Sequence, residues 1–178
     1  MGDAMKNSMQ WIEAWTIAEK IAAELEHSCT RIQIAGSLRR QKPDVGDIEI
    51  VAAPIFKKDL FGVVSTDHML NEFDYSTLGK LVKNGSKFKQ VELNEGINLD
   101  LFIVTPPAEW GVQLLIRTGP ADYSHRFVMP KTQGGMLHSW QKIRDGAMWR
   151  EDRKLPTPEE EDVYKFIDMP YLQPQERK

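Results

Sequence analysis

Asp47, Glu49 and Asp100 stand where strand geometry would make them a metal-binding set. Residues two apart on a strand point to the same side. In Asp47-Ile48-Glu49-Ile50, two carboxylates therefore lie side by side while the isoleucines face the opposite way into apolar packing. Asp100 sits within Asn98-Leu99-Asp100-Leu101-Phe102, again with apolar residues on either side. If these strands are neighbours, three carboxylates share one patch. Like charges at short range raise one another's pKa unless a cation neutralises them, and hard divalent ions, chiefly Mg²⁺, take all-oxygen sets of this kind. Two such ions about 4 Å apart can activate an attacking hydroxyl and stabilise the leaving oxygen of an in-line phosphoryl transfer. Taken singly, Asp100 reads as surface decoration. Two same-face acids that follow a Gly-Ser turn and an arginine pair weaken that reading.

The turn is Gly36-Ser37-Leu38-Arg39-Arg40. Gly36-Ser37 offers backbone amides and a hydroxyl where a phosphate can approach closely. Arg40, with Arg39 beside it, can supply forked donors to phosphate oxygens. Ser-Leu-Arg-Arg by itself is a weak signal, equally readable as an exposed helix start.

The elements that must position these groups follow from periodicity and turn residues. Trp11, Trp15, Ala18, Ala22 and Leu25 recur at helical steps, which predicts a helix over residues 5–27. Strands are expected over 30–35, 47–53, 87–93 and 97–105, the last two forming a hairpin through Asn94-Glu95-Gly96. A second helix is expected over 67–83. Pro106-Pro107 marks the boundary between residues 1–106 and 107–178. Beyond it come helices over 109–117 and 120–128, a hairpin through 137–152 turning at Arg144-Asp145-Gly146, and a final helix capped by Thr157. The fold class is α+β: a larger lobe followed by a smaller mixed one.

Composition bounds the partners. The chain has 178 residues, 41% hydrophobic and 28% charged, as expected of a globular protein. No apolar run approaches the roughly 20 residues of a membrane span, and Met1 to Lys6 lack the layout of a secretion signal. Cys29 is the sole cysteine and the four histidines are scattered, so a reducing cytoplasmic, intracellular setting and no structural zinc are expected. A net charge of −3 counts against strong autonomous nucleic-acid binding, since phosphate contacts draw on excess positive charge. A local basic surface is compatible with that total. Lys80, Lys83, Lys87 and Lys89 form one candidate group, and Arg144, Arg150, Arg153 and Lys154 another. Such a set is more often a solvated face than a phosphate track. Trp140 and Trp149 could stack on bases, though core packing is the commoner use.

Gly36-Ser37-Leu38-Arg39-Arg40 followed by Asp44-Val45-Gly46-Asp47-Ile48-Glu49 resembles the nucleotidyltransferase motif of family X DNA polymerases, the DNA polymerase beta family. Leu99-Asp100-Leu101 is similar to the family's third-carboxylate strand. Trp110-Gly111 and Thr118-Gly119 resemble the start of its thumb, Arg144-Asp145-Gly146 its late hairpin, and Thr157-Pro158-Glu159-Glu160 through Met169-Pro170-Tyr171 its C-terminal segment. The resemblance implies a nucleotidyltransferase palm with a mixed sheet and helices, then a small α+β thumb. It implies a DNA polymerase that adds dNMP from dNTP to a primer 3′-hydroxyl by two-metal-ion catalysis, filling gaps in DNA repair. Asp47 and Glu49 would each hold both Mg²⁺ ions, with Mn²⁺ as a substitute, and Asp100 would hold the catalytic ion and act on the primer hydroxyl. Gly36, Ser37, Arg40 and the backbone at Gly46 would hold the triphosphate, and Thr118-Gly119 would lie beside the sugar and base.

Several positions depart from the family pattern. Glu49 stands where the family usually has Asp, Ile116-Arg117 replaces the aromatic pair before Thr-Gly, and Ala121 and Ser124 fall where larger or amide side chains meet the base. The chain is expected to begin at the palm, without the family's helix-hairpin-helix, and to act as a monomer; whether a protein partner supplies DNA grip is left open by the sequence. A transferase acting on RNA or a protein hydroxyl is the second hypothesis, which the acidic balance favours. A catalytically silent nucleotide-binding module is the third, disfavoured because all three acidic positions are filled.

Overall fold

The computed structural model describes residues 8–178, so the start of the expected first helix, at residues 5–7, lies outside the described residues. The chain divides into two compact units, the first running to Ile103 and the second spanning Val104–Lys178.

In the first unit, β1 (Met9–Gln10) leads into α1 (Trp11–Glu26), followed by β2 (Cys29–Ile34), the single turn α2 (Gly36–Arg39), β3 (Asp44–Val45) and β4 (Asp47–Pro54). A small hairpin, β5 (Phe56–Lys58) and β6 (Val64–His68), precedes β7 (Gly79–Asn84), β8 (Phe88–Leu93) and β9 (Asn98–Ile103). Five strands form one mixed sheet in the order β2-β4-β9-β8-β7, with β4 and β9 parallel and the other pairs antiparallel. Ile48 and Ile50 of β4 and Leu99 and Leu101 of β9 alternate onto one face, where they are fully buried with Ala14, Ala18, Ile21 and Leu25 of α1. Truncating such a side chain to alanine typically costs about 2–5 kcal/mol, so this face fixes the pleat and hence the direction of every residue between.

Two sequence expectations change here. The buried stripe of α1 is Ala14, Ala18, Ile21 and Leu25; Trp11 and Trp15 flank it half-buried and stacked, with ring centroids 5.2 Å apart. An indole carries a polar N–H that needs a partner, and that of Trp11 donates to the Leu38 carbonyl at 2.9 Å. Residues 67–83 do not form a helix. They run from the end of β6 through two short 3-10 turns, Met69–Asn71 and Tyr75–Thr77, into β7. Leu70, Tyr75 and Leu78 are buried in the core. Asp74 caps the second turn by accepting from the Ser76 amide.

The second unit contains α3 (Trp110–Thr118), α4 (Ala121–Val128), a three-stranded antiparallel sheet of β10 (Gln141–Arg144), β11 (Ala147–Arg150) and β12 (Arg153–Lys154), and α5 (Glu160–Phe166). Val112, Leu115, Tyr123, Phe127, Met148, Val163 and Ile167 form its core. Thr157 is not the cap of α5. Glu159 takes that place in a reciprocal capping box with Asp162. The Thr157 hydroxyl instead donates to the Ala108 carbonyl at 2.8 Å, fully buried. Arg177 enters the core and pairs with Glu160 at 2.9 Å, both almost wholly inaccessible, while its Nη2 donates to the Leu172 carbonyl at 3.1 Å.

Candidate active site

The first unit gathers the loop and the three acids by backbone register. β4 and β9 pair in parallel with Glu49 directly opposite Asp100 and Asp47 opposite Asn98. Because Ile48 and Leu99, then Ile50 and Leu101, pair on the core side, Asp47, Glu49 and Asp100 all belong to the other face. Neighbouring strands lie about 4.8 Å apart and alternate residues about 7 Å apart, so three carboxylate-bearing side chains spring from one small patch. All three residues are half-buried.

Among the described residues, no three acidic, histidine or cysteine side chains are closed around a common point as a metal-ligand set. The poses explain this. Asp100 Oδ1 accepts from Gln90 Nε2 at 2.8 Å, and the Glu49 carboxylate lies over Gly36, where a Cβ would come within 2.0 Å of its Oε2. The register supplies the proximity; side-chain rotation would have to bring the oxygens together. The donor set itself, three carboxylates with no sulfur or imidazole, fits a hard divalent cation.

Beside the acids, the chain leaves β2 and turns. Gly36 has φ +62, a left-handed conformation that glycine adopts without penalty. The Ala35 amide donates to the Glu49 carbonyl at 2.8 Å and Arg40 N closes on Gly36 O at 3.2 Å. The Ser37 Oγ is buried without a hydrogen-bond partner among the described residues. A buried hydroxyl left so forgoes a bond worth about 1 kcal/mol or more. The far side of the turn is clamped: the Trp11 indole holds Leu38 O, Trp11 N donates to Pro43 O at 2.9 Å, and β1 pairs with β3, Met9 opposite Val45 and Gln10 opposite Asp44. Gly46 is the single residue between β3 and β4. The start of α1 thus holds the segment that delivers Asp47.

Thr118 and Gly119 belong to the second unit. Thr118 is fully buried at the end of α3, and Gly119 is its C-cap. Ser124, proposed from the sequence as a base-facing position, spends its hydroxyl on the Ile116 carbonyl at 2.7 Å.

Two contributors were not identified from the sequence. Gln90 faces Asp100 across the β8–β9 pair and fixes its carboxylate, and Trp11 anchors the turn. Both act through strand or helix pairing that local patterns do not encode. Lys89, by contrast, was grouped with residues able to face phosphate. It alternates onto the core side opposite Leu101, is almost fully buried, bonds to Asn84 Oδ1 and lies 5.6 Å from the centroid of the Tyr75 ring. Burial lowers its pKa.

No family model matches the chain. It is similar to DNA polymerase lambda of Rattus norvegicus, 25% identical over 171 residues, a match covering 80% of this chain and 28% of that protein. The relation is one of distant homology to a DNA polymerase, and the chain spans little more than a quarter of that relative's length. Among the described residues, no helix is long and apolar enough to cross a membrane.

Proposed function

We propose that the protein transfers a nucleoside monophosphate from a dNTP to the 3′-hydroxyl of a DNA primer, as a compact relative of family X polymerases that fills gaps in DNA. The observation that carries this reading is the parallel pairing of Glu49 with Asp100, with Asp47 two residues away on the same face. The distant similarity to a DNA polymerase supports it.

Asp47, Glu49 and Asp100 would hold two Mg²⁺ ions, or Mn²⁺ in their place. When bound, the ions supply charge neutralisation and a more acidic hydroxyl nucleophile. Asp100, oriented by Gln90, would sit by the primer hydroxyl and accept its proton. Gly36, Ser37 Oγ, Arg40 and the backbone at Gly46 would donate to the triphosphate; the family resemblance assigns sugar and base to Thr118 and Gly119. Most of the acceleration would come from positioning and preorganised charge. In Glu49 the extra methylene lengthens the reach of the carboxylate relative to Asp.

Incorporation of labelled dNTPs and NTPs into a gapped duplex, with and without Mg²⁺ or Mn²⁺, tests the assignment. Metal-dependent dNTP incorporation that Asp100→Ala abolishes supports it. Labelling of RNA or protein but never DNA would move the acceptor to another class. No transfer under any condition, in a chain shown to be folded, would refute it.

A further inference from the structure

We propose that the outward face of the β10–β12 sheet holds the sugar-phosphate backbone of the DNA acceptor, a step that rests on the acceptor class proposed above. The register sets Lys142 opposite Trp149, and Trp149 opposite Lys154, so these three side chains share a face with Arg144, two residues along β10. The reverse face carries Ile143 and Met148, which pack into the core of the second unit. Segment 141–154 holds five cations against three acids, in a chain whose total is −3. Three of the five, Lys142, Arg144 and Lys154, lie on the outward face.

The face is also ordered. The Arg144 guanidinium lies 4.0 Å from the centroid of the Trp149 ring and the Lys154 ammonium 5.3 Å, while the indole N–H donates to the Arg144 carbonyl at 3.0 Å. Trp149 is thus a scaffold that fixes two cations, not a platform for stacked bases, and prefixed side chains lose less freedom on binding. The acids at the rim compete weakly. Asp152 stands 3.9 Å from Lys142 and Asp145 3.7 Å from Arg144, both largely exposed. Exposed pairs of this kind contribute little to stability, so a phosphate can take their place. Arg150 and Arg153 pair with each other on the reverse side. The basic cluster of the sequence is therefore split, and Lys142 joins the outward set instead.

The test measures binding of a labelled gapped duplex by fluorescence anisotropy across a salt series, with no dNTP or metal present. Each phosphate neutralised adds about 0.9 to the slope of log affinity against log salt. The Lys142→Gln, Lys154→Gln variant should lose about two from that slope and bind roughly tenfold more weakly at moderate salt, with an unchanged melting midpoint. Lys20→Gln, Lys58→Gln, at two exposed positions of the first unit, should leave the slope as it is. A wild-type slope in the first variant, an equal loss in the control, or no binding of duplex by the wild type would overturn the proposal. So would a defect confined to phosphatidylserine vesicles. Binding is read without catalysis, so the two proposals fail separately: a chain that binds through this face but never incorporates removes only the transferase assignment. One that incorporates with the slope unmoved removes only this face.

Discussion

Replacing Gly36 with alanine should damage catalysis far more than stability, and the structure supplies its own control. Gly36 has φ +62 and Gly96 φ +83, and an L-residue forced into the left-handed region costs about 1–2 kcal/mol. Nothing lies within 4 Å of a Cβ built at Gly96, whereas one at Gly36 meets Glu49 Oε2 at 2.0 Å, Cδ at 2.9 Å and Cβ at 3.1 Å. The carboxylate is the far end of a flexible side chain, so it would swing away from Gly36 at little cost in stability but lose the position from which it can turn toward Asp100. A displacement of about 1 Å in a reacting group can lower a rate by about a hundredfold. Both variants should therefore lose about 1–2 kcal/mol in urea denaturation. Gly96→Ala should keep near wild-type dNTP incorporation, while Gly36→Ala should fall by about a hundredfold. Equal incorporation by the two variants would refute the claim that the turn and Glu49 form one unit.

Other consequences can be checked by simpler means. The buried Glu160–Arg177 pair should cost about 3–5 kcal/mol when either partner alone is made neutral, because a charge is left without its counterion; chemical denaturation of Arg177→Met reads this, and Glu160→Leu, Arg177→Met together should recover much of it. Asp67 is held at about 2, chiefly by the Lys57 ammonium and also by the Asn71 amide. Its folded pKa lies below its ordinary 3.8, so its contribution is present above that value and fades as pH falls toward 2. Asp67→Asn should flatten the acid limb of urea midpoints between about pH 4 and 2. Lys89→Met should change stability by less than about 1.5 kcal/mol, since an apolar chain of similar volume replaces a desolvated ammonium, and should leave the salt dependence of DNA binding untouched.

The common face of the three acids was legible because strand period fixes side-chain direction. Glu49 and Asp100 each stand between apolar residues and Asp47 lies two residues before Glu49, so alternation assigned them a common direction once their strands paired, and the parallel register does pair β4 with β9. Gly36-Ser37 was legible as a turn because few residues tolerate that backbone. What escaped was set by distant partners. Lys89 reads as a surface cation until Tyr75 and Asn84 are placed around it. Residues 67–83 read as a helix, whereas two short 3-10 turns lead into β7 and Leu70, Tyr75 and Leu78 are buried. Gln90 has no local mark of function; only the antiparallel register opposite Asp100 reveals its hydrogen bond. The two sides of the β10–β12 sheet likewise emerge only from pairing, which separates Lys142 and Lys154 from Arg150 and Arg153.

The most direct test of the carboxylate patch is a titration with Mn²⁺, followed by electron paramagnetic resonance in the presence of dNTP, on the wild type and on Asp47→Asn. Two saturable sites per chain in the wild type, at least one of them lost in a variant that keeps its melting midpoint, is the expected result. Identical Mn²⁺ binding by the two proteins, or none by either, would mean that Asp47, Glu49 and Asp100 do not form a cation site.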